Sequence, residues 1–150
     1  MLKDISQTPQ LAIRVAAGGG LIYHSAPIVF TQAGYANFVH QLTEVGLPWP
    51  ELSAASVGSL EFVGGLCVLF GAFTVFASLL VALELSTRVL TIFVIGKGFP
   101  PPLPGQMPLP DYETNLFYIL FLTALVIAGG GKYALDNGIW RWAAKSAATS

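Results

Sequence analysis

Four long apolar stretches, a charged content of only 10%, and Gly- and Pro-rich breaks between the stretches predict an all-α protein. The expected architecture is a four-transmembrane-helix bundle with an external amphipathic helix between spans one and two. An average soluble domain carries roughly 25% charged residues, whereas here 54% of the 150 residues are apolar. Four spans of about 20 residues would occupy roughly 80 residues as membrane helix. The chain therefore reads as a single integral membrane domain, 1–150, with spans at about 11–30, 52–73, 75–96 and 114–128.

The first span, Leu11 to Phe30, is interrupted by Arg14 and His24. Arg14 falls inside what would be the apolar core of a leader, and Ser25-Ala26-Pro27 is a poor cleavage site, so the segment is expected to be retained. Between Thr31 and Leu47, apolar Tyr35, Phe38, Val39, Leu42 and Val45 oppose Gln32, Asn37, His40, Gln41 and Glu44, the pattern of a helix lying on the membrane surface. Gly46-Leu47-Pro48-Trp49-Pro50 ends it, with Trp49 as an interfacial anchor. Span two carries Glu61, Gly64, Gly65 and Cys67, and a tight hairpin around Gly71–Thr74 leads to span three with Glu84 and Arg88. Prolines at 100, 101, 102, 104, 108 and 110 exclude a helix and suit an extended loop. Gly129-Gly130-Gly131 stops span four.

Lys3 precedes the first span, and Lys132, Arg141 and Lys145 follow the fourth, so four of the seven basic residues share one face. By the positive-inside rule that face, with both termini, is cytoplasmic. Trp140, Trp142 and Tyr133 would mark the inner interface, and Lys97 is the one basic residue expected outside.

Several chemistries are excluded by composition. A net charge of −1 with no basic run lacks the electrostatic footprint of nucleic-acid binding. The single cysteine, Cys67, rules out an internal disulfide, a Cys-x-x-Cys pair and a cysteine-type zinc site. Bis-histidine haem would need His24 and His40 at one depth, and His40 lies outside the apolar segments. No flavin, nicotinamide or iron–sulfur motif is present, and no metal is expected.

Three charges inside the spans demand partners. Glu61, Glu84 and Arg88 left unpaired at mid-membrane would together cost on the order of 8–10 kcal/mol. At about 1.5 Å of rise per residue, His24 and Arg88 lie roughly 20 Å from the inner face, and Glu61 and Glu84 roughly 15 Å, with Thr123 at a similar level. The four residues His24, Glu61, Glu84 and Arg88 are thus expected to face one interior polar site. Glu84 and Arg88 also stand at i,i+4, the order that favours an intrahelical ion pair of purely structural use. Glu61 has no partner on its own helix and is the candidate proton carrier. His24 reads either as a packing residue or as a site residue. Arg14 is expected to snorkel or to pair with Asp136. Gly18–Gly20 and Gly64-Gly65 would permit close helix contact, Cys67 would pack, and Tyr112, Glu113 and Asn115 would cap span four.

These residues in this order resemble the DoxX family of small four-span bacterial membrane proteins. The likeness rests on Arg14, Tyr23 and His24; Phe38 and Leu47; Glu61, Gly64, Gly65 and Gly71; then Tyr112, Glu113, Asn115 and Leu116, and finally Gly129, Gly131, Lys132, Tyr133, Leu135 and Asp136. The chain departs from the pattern after Gly71, where Thr74-Val75-Phe76 replaces a Leu-Thr-Arg. The resemblance implies a bacterial inner-membrane subunit associated with redox enzymes, in some members with thiosulfate oxidation coupled to quinone reduction. On that footing the expected function is auxiliary to quinone-linked electron transfer, with electrons from a partner redox enzyme and no autonomous activity. Glu61 and His24 would act on the quinone and, with Glu84 and Arg88, bind it; Lys97 and Glu113 would face the partner. The alternative is a non-catalytic scaffold of a larger membrane complex. A small transporter ranks lower, because the spans read as unbroken.

Overall fold

The computed structural model describes residues 8–95, 100–106, 108 and 110–136. Among these, five α-helices and no strand occur: α1 (Thr8–Phe30), α2 (Gln32–Glu44), α3 (Pro50–Phe70), α4 (Thr74–Arg88) and α5 (Tyr112–Ala128). A π-helical segment, Val89–Ile95, continues α4. Two helices are long and apolar enough to cross a membrane, Pro50–Phe70 and Thr74–Phe93. α5 is apolar but shorter, at 17 residues. α1 has the length, 23 residues, yet Arg14 and His24 dilute its apolar character.

α1 packs on α3, α3 on α4, α4 on α5 and α5 on α1, closing a ring. The shared core is Ala17 and Leu21 from α1, Val68 from α3, Val81 and Leu85 from α4, and Leu122 and Leu125 from α5. The α1–α3 contact is the most extensive because it is built on glycine. A Cβ on Gly18 would stand 2.7 Å from the Leu69 amide nitrogen and 2.8 Å from the Gly65 carbonyl oxygen. Small residues let helix backbones approach this closely.

α2 lies across α1 and α3 over a smaller core of Ile28, Phe38, Leu42 and Ala54. Thr31 caps its start, accepting from the Gly34 amide at 3.0 Å. Its buried face departs from the expected one, since Asn37 and Gln41 are turned inward at 4% and 1% exposure. The reason lies in the Pro-rich loop: the Leu103 amide donates to Asn37 Oδ1 at 2.9 Å, so an apolar residue there would strand a backbone donor.

At one end of the ring, helix termini are tied by two charges. Arg14 neither snorkels nor bonds Asp136. It is buried and donates to the carbonyls of Val68, Leu69 and Gly130 at 2.9–3.0 Å, the free acceptors at the ends of α3 and α5. Asp136 instead accepts from the amides of Phe73 (2.7 Å) and Thr74 (2.9 Å), which open α4. Those bonds hold Phe73 in the left-handed region at φ 50°, two residues after Gly71 at φ 74°. Asp111 rather than Tyr112 or Glu113 caps α5, accepting from the Thr114 amide at 3.0 Å, and Asn115 donates back to the carbonyls of Pro110 and Asp111. Lys3, Trp140, Arg141, Trp142 and Lys145 lie outside the described residues.

Candidate functional site

Polar residues at i, i+3, i+4 and i+7 draw one stripe along α4 and its π-helical extension: Glu84, Thr87, Arg88 and Thr91. α3 brings Glu61 against that stripe. Arg88 is buried and donates to Glu84 Oε1 from Nε (3.1 Å) and Nη2 (2.7 Å), and Nη2 also bonds Glu61 Oε1. Glu61 thus finds its partner 27 residues away on the next helix. One guanidinium faces two carboxylates, both bonded to its Nη2 nitrogen. The Glu84 Oε2 atom is buried without a hydrogen-bond partner among the described residues. Phe38 of α2 covers the guanidinium from the other side, 6.0 Å from ring centre to Arg88 Cζ, the outer limit of a cation–π contact.

Beside this cluster opens a cavity of about 360 Å³ between α2, α3 and α4. Phe38, Leu42, Val57 and Ile92 supply apolar walls; Glu84, Arg88, Thr87 and Thr91 supply a polar strip, and Ser53 and Ser56 stand on the α3 side. The π-helical segment after Arg88 contributes Thr91 and Ile92 to the lining.

The expected site residues are therefore distributed as follows. Glu61, Glu84 and Arg88 meet in one cluster, but only Glu84 and Arg88 line the large cavity. His24 stands apart. Its ring sits edge-on to Tyr23 (5.3 Å) and Tyr118 (6.3 Å), and it lines a separate crevice of about 40 Å³ with Asn37, Gln106 and Pro108. It remains within electrostatic reach of Glu61 and Arg88. Its Nδ1 is buried with no partner among the described residues. Thr123 faces outward and donates to the Ile119 carbonyl of its own helix. Glu113 is exposed in the first turn of α5, beside a shallow apolar hollow formed with Leu116, Phe117 and Leu120. Lys97 lies outside the described residues.

Thr87, Thr91, Ser53 and Phe38 were not singled out from sequence as site residues. For the threonines a signal was present, since they extend the Glu84–Arg88 spacing to a continuous polar stripe on an otherwise apolar helix. Phe38 and Ser53 join the site through tertiary packing, which spacing does not reveal.

Comparison with curated proteins and with solved structures finds no match. The DoxX family model matches residues 10–96, a segment that runs from the start of α1 past the end of the π-helical turn and contains Arg14, His24, Glu61, Glu84 and Arg88. On a match covering more than half of its length, the chain belongs to the DoxX family of membrane proteins.

Proposed function

We propose that the protein is an inner-membrane subunit of a bacterial quinone-linked redox system, and that the cavity between α2, α3 and α4 receives a quinone head group while a partner enzyme supplies electrons. In this reading α1, α3, α4 and α5 each cross the bilayer, α2 and the Pro-rich loop lie outside, and both termini are cytoplasmic. Large exposed apolar side chains on every one of the four helices support it, among them Val15, Val63, Leu83 and Leu120. In water such a surface would be an aggregation liability; against lipid it is the expected exterior.

The observation that carries the proposal is the cavity itself. Its volume of about 360 Å³ falls within the roughly 300–1,000 Å³ of small-molecule sites. A quinone is an apolar molecule with carbonyl acceptors at its head, and the lining pairs apolar walls with a hydroxyl and carboxyl strip. In this reading a quinone carbonyl accepts from the Thr91 hydroxyl and from a protonated Glu84 carboxyl, both on the cavity lining, and Arg88 holds Glu84 through two hydrogen bonds. Glu61 acts one step back, holding Arg88, and His24 serves the neighbouring crevice.

The test is binding of decylubiquinone to the full chain in lipid nanodiscs. Ser56→Trp, at an exposed position on the cavity wall, is expected to weaken binding at least tenfold with the helical circular-dichroism signal unchanged. Equal binding by the variant places the ligand elsewhere.

The alternative, a scaffold without chemistry, draws on the Glu61–Arg88–Glu84 cluster as a structural lock between α3 and α4. It predicts no decylubiquinone binding, and assembly of a partner complex that depends on the lock.

A further inference from the structure

We propose that Glu61 and Glu84 hold a single proton between them beneath Arg88, and that this carboxyl pair is the proton-exchanging group of the cavity. The inference deepens the quinone reading and rests on it for the identity of the ligand, but the pair itself stands on geometry. Two carboxyl groups bonded to the same Nη2 nitrogen carry one negative charge more than the guanidinium offsets. Like-charged carboxylates this close do not both stay ionised in a dry site, and one proton shared by the pair is the usual resolution.

Among the described residues, no other group facing the pair is placed to supply the balance. Arg88 already contributes its single charge. Tyr118 of α5 is neutral in its ordinary form and lies near Glu61. His24 of α1 is the remaining candidate, but a second proton on its ring would leave a buried Nδ1–H with no acceptor among the described residues. The described residues of α2 that line the cavity, Phe38, Leu42 and the adjoining Leu47, include no titratable group. The Glu84 Oε2 atom, which receives no N–H or O–H from the described residues, is where a proton is accommodated without breaking a bond to Arg88.

Glu84 is the member of the pair that lines the cavity, whereas Glu61 does not. The exchange with a ligand therefore runs through Glu84, and Glu61 is a positioning residue that fixes Arg88 and stabilises the shared proton. This reverses the emphasis drawn from sequence, where Glu61 stood out because no partner was visible beside it.

The experiment is infrared spectroscopy of the full chain in lipid nanodiscs, recording the carbonyl stretch of protonated carboxylic acid at neutral pH and its shift in deuterium oxide. The other described carboxylates, Glu44, Glu51, Asp111, Glu113 and Asp136, are exposed or half-exposed. One protonated-acid band is expected in the wild type. It is lost in both Glu61→Gln and Glu84→Gln, because either change leaves one carboxylate matched to one guanidinium; His24→Asn retains it. Alkaline titration of the wild type reads the same site without substitution, the band disappearing with release of one proton per chain. Absence of the band in the wild type, or its survival in either glutamine variant, overturns the shared proton. Decylubiquinone is then added: a shift of the band supports exchange through Glu84, and binding that leaves it unmoved overturns that link. If decylubiquinone does not bind at all, the quinone reading fails while the band alone decides the fate of the carboxyl pair.

Discussion

Arg88 is the residue on which the site depends, because removing it leaves two buried carboxyl groups without a counter-charge. Breaking a buried ion pair by deleting one partner costs about 3–5 kcal/mol. Arg88→Met is therefore expected to lower the thermal unfolding temperature of the nanodisc-embedded chain sharply. Glu84→Gln, which keeps an acceptor for Arg88 and relieves the like-charge contact with Glu61, should shift it little. Equal losses in the two variants would mean that the pairing is not organised around the guanidinium. The Glu84–Arg88 half of this cluster was legible as an i,i+4 pair. The Glu61 half was legible only as a shared depth, since its partner comes from the next helix and the pairing depends on the register set by the hairpin at Gly71. Arg14 escaped for a related reason: its acceptors are backbone carbonyls of Val68, Leu69 and Gly130, which carry no side-chain signature.

Helix boundaries followed from apolar runs and breakers, and the described helices fall within a few residues of the expected ones. Two element-scale features did not follow. The π-helical turn Val89–Ile95 has no distinctive composition, and the buried face of α2 includes Asn37, which a loop amide meets, and Gln41, whose amide donates to Asn37. The glycine seam allows a paired prediction. Gly18→Ala places a Cβ within 2.7–2.9 Å of α3 backbone atoms that cannot move alone, an overpacking expected to cost about 1–3 kcal/mol or more. Gly19→Ala meets nothing within 4 Å and should stabilise α1 by up to about 1 kcal/mol through helix propensity. Unfolding measured on the two variants decides whether the seam or the general glycine content matters. At the start of α5, the bond from the Thr114 amide holds Asp111 below the ordinary aspartate range. A carboxylate depressed in the folded state stabilises above its unfolded pKa, and that contribution is lost as pH falls through the folded value. Protection of the Thr114 and Asn115 amides, taken relative to their intrinsic exchange rates, should accordingly fall under acid conditions, and Asp111→Asn should flatten that pH dependence.

On the scale of the whole molecule, each helix of the ring α1–α3–α4–α5 exposes large apolar side chains, and among the described residues the buried charges fall in two places, Arg14 at one end and the Glu61–Glu84–Arg88 cluster. Both belong to helix packing as much as to chemistry, which is why sequence patterning delivers the architecture more readily than the role of any residue. The orientation proposed for the chain is open to a direct check. Glu113→Cys in a Cys67→Ser background should react with a membrane-impermeant thiol reagent on spheroplasts, since Glu113 is exposed at the start of α5 on the side of the Pro-rich loop. Reaction only after lysis would reverse the topology. The central claim concerns the cavity, and photo-crosslinking tests it most directly. A photoreactive decylubiquinone analogue, applied to the full chain in nanodiscs and followed by peptide mass spectrometry, should label α2 around Phe38–Leu42 and the α4 segment around Glu84–Ile92. Labelling confined to the outer faces of α1 and α5, or spread evenly over the lipid-facing surface, would contradict the account.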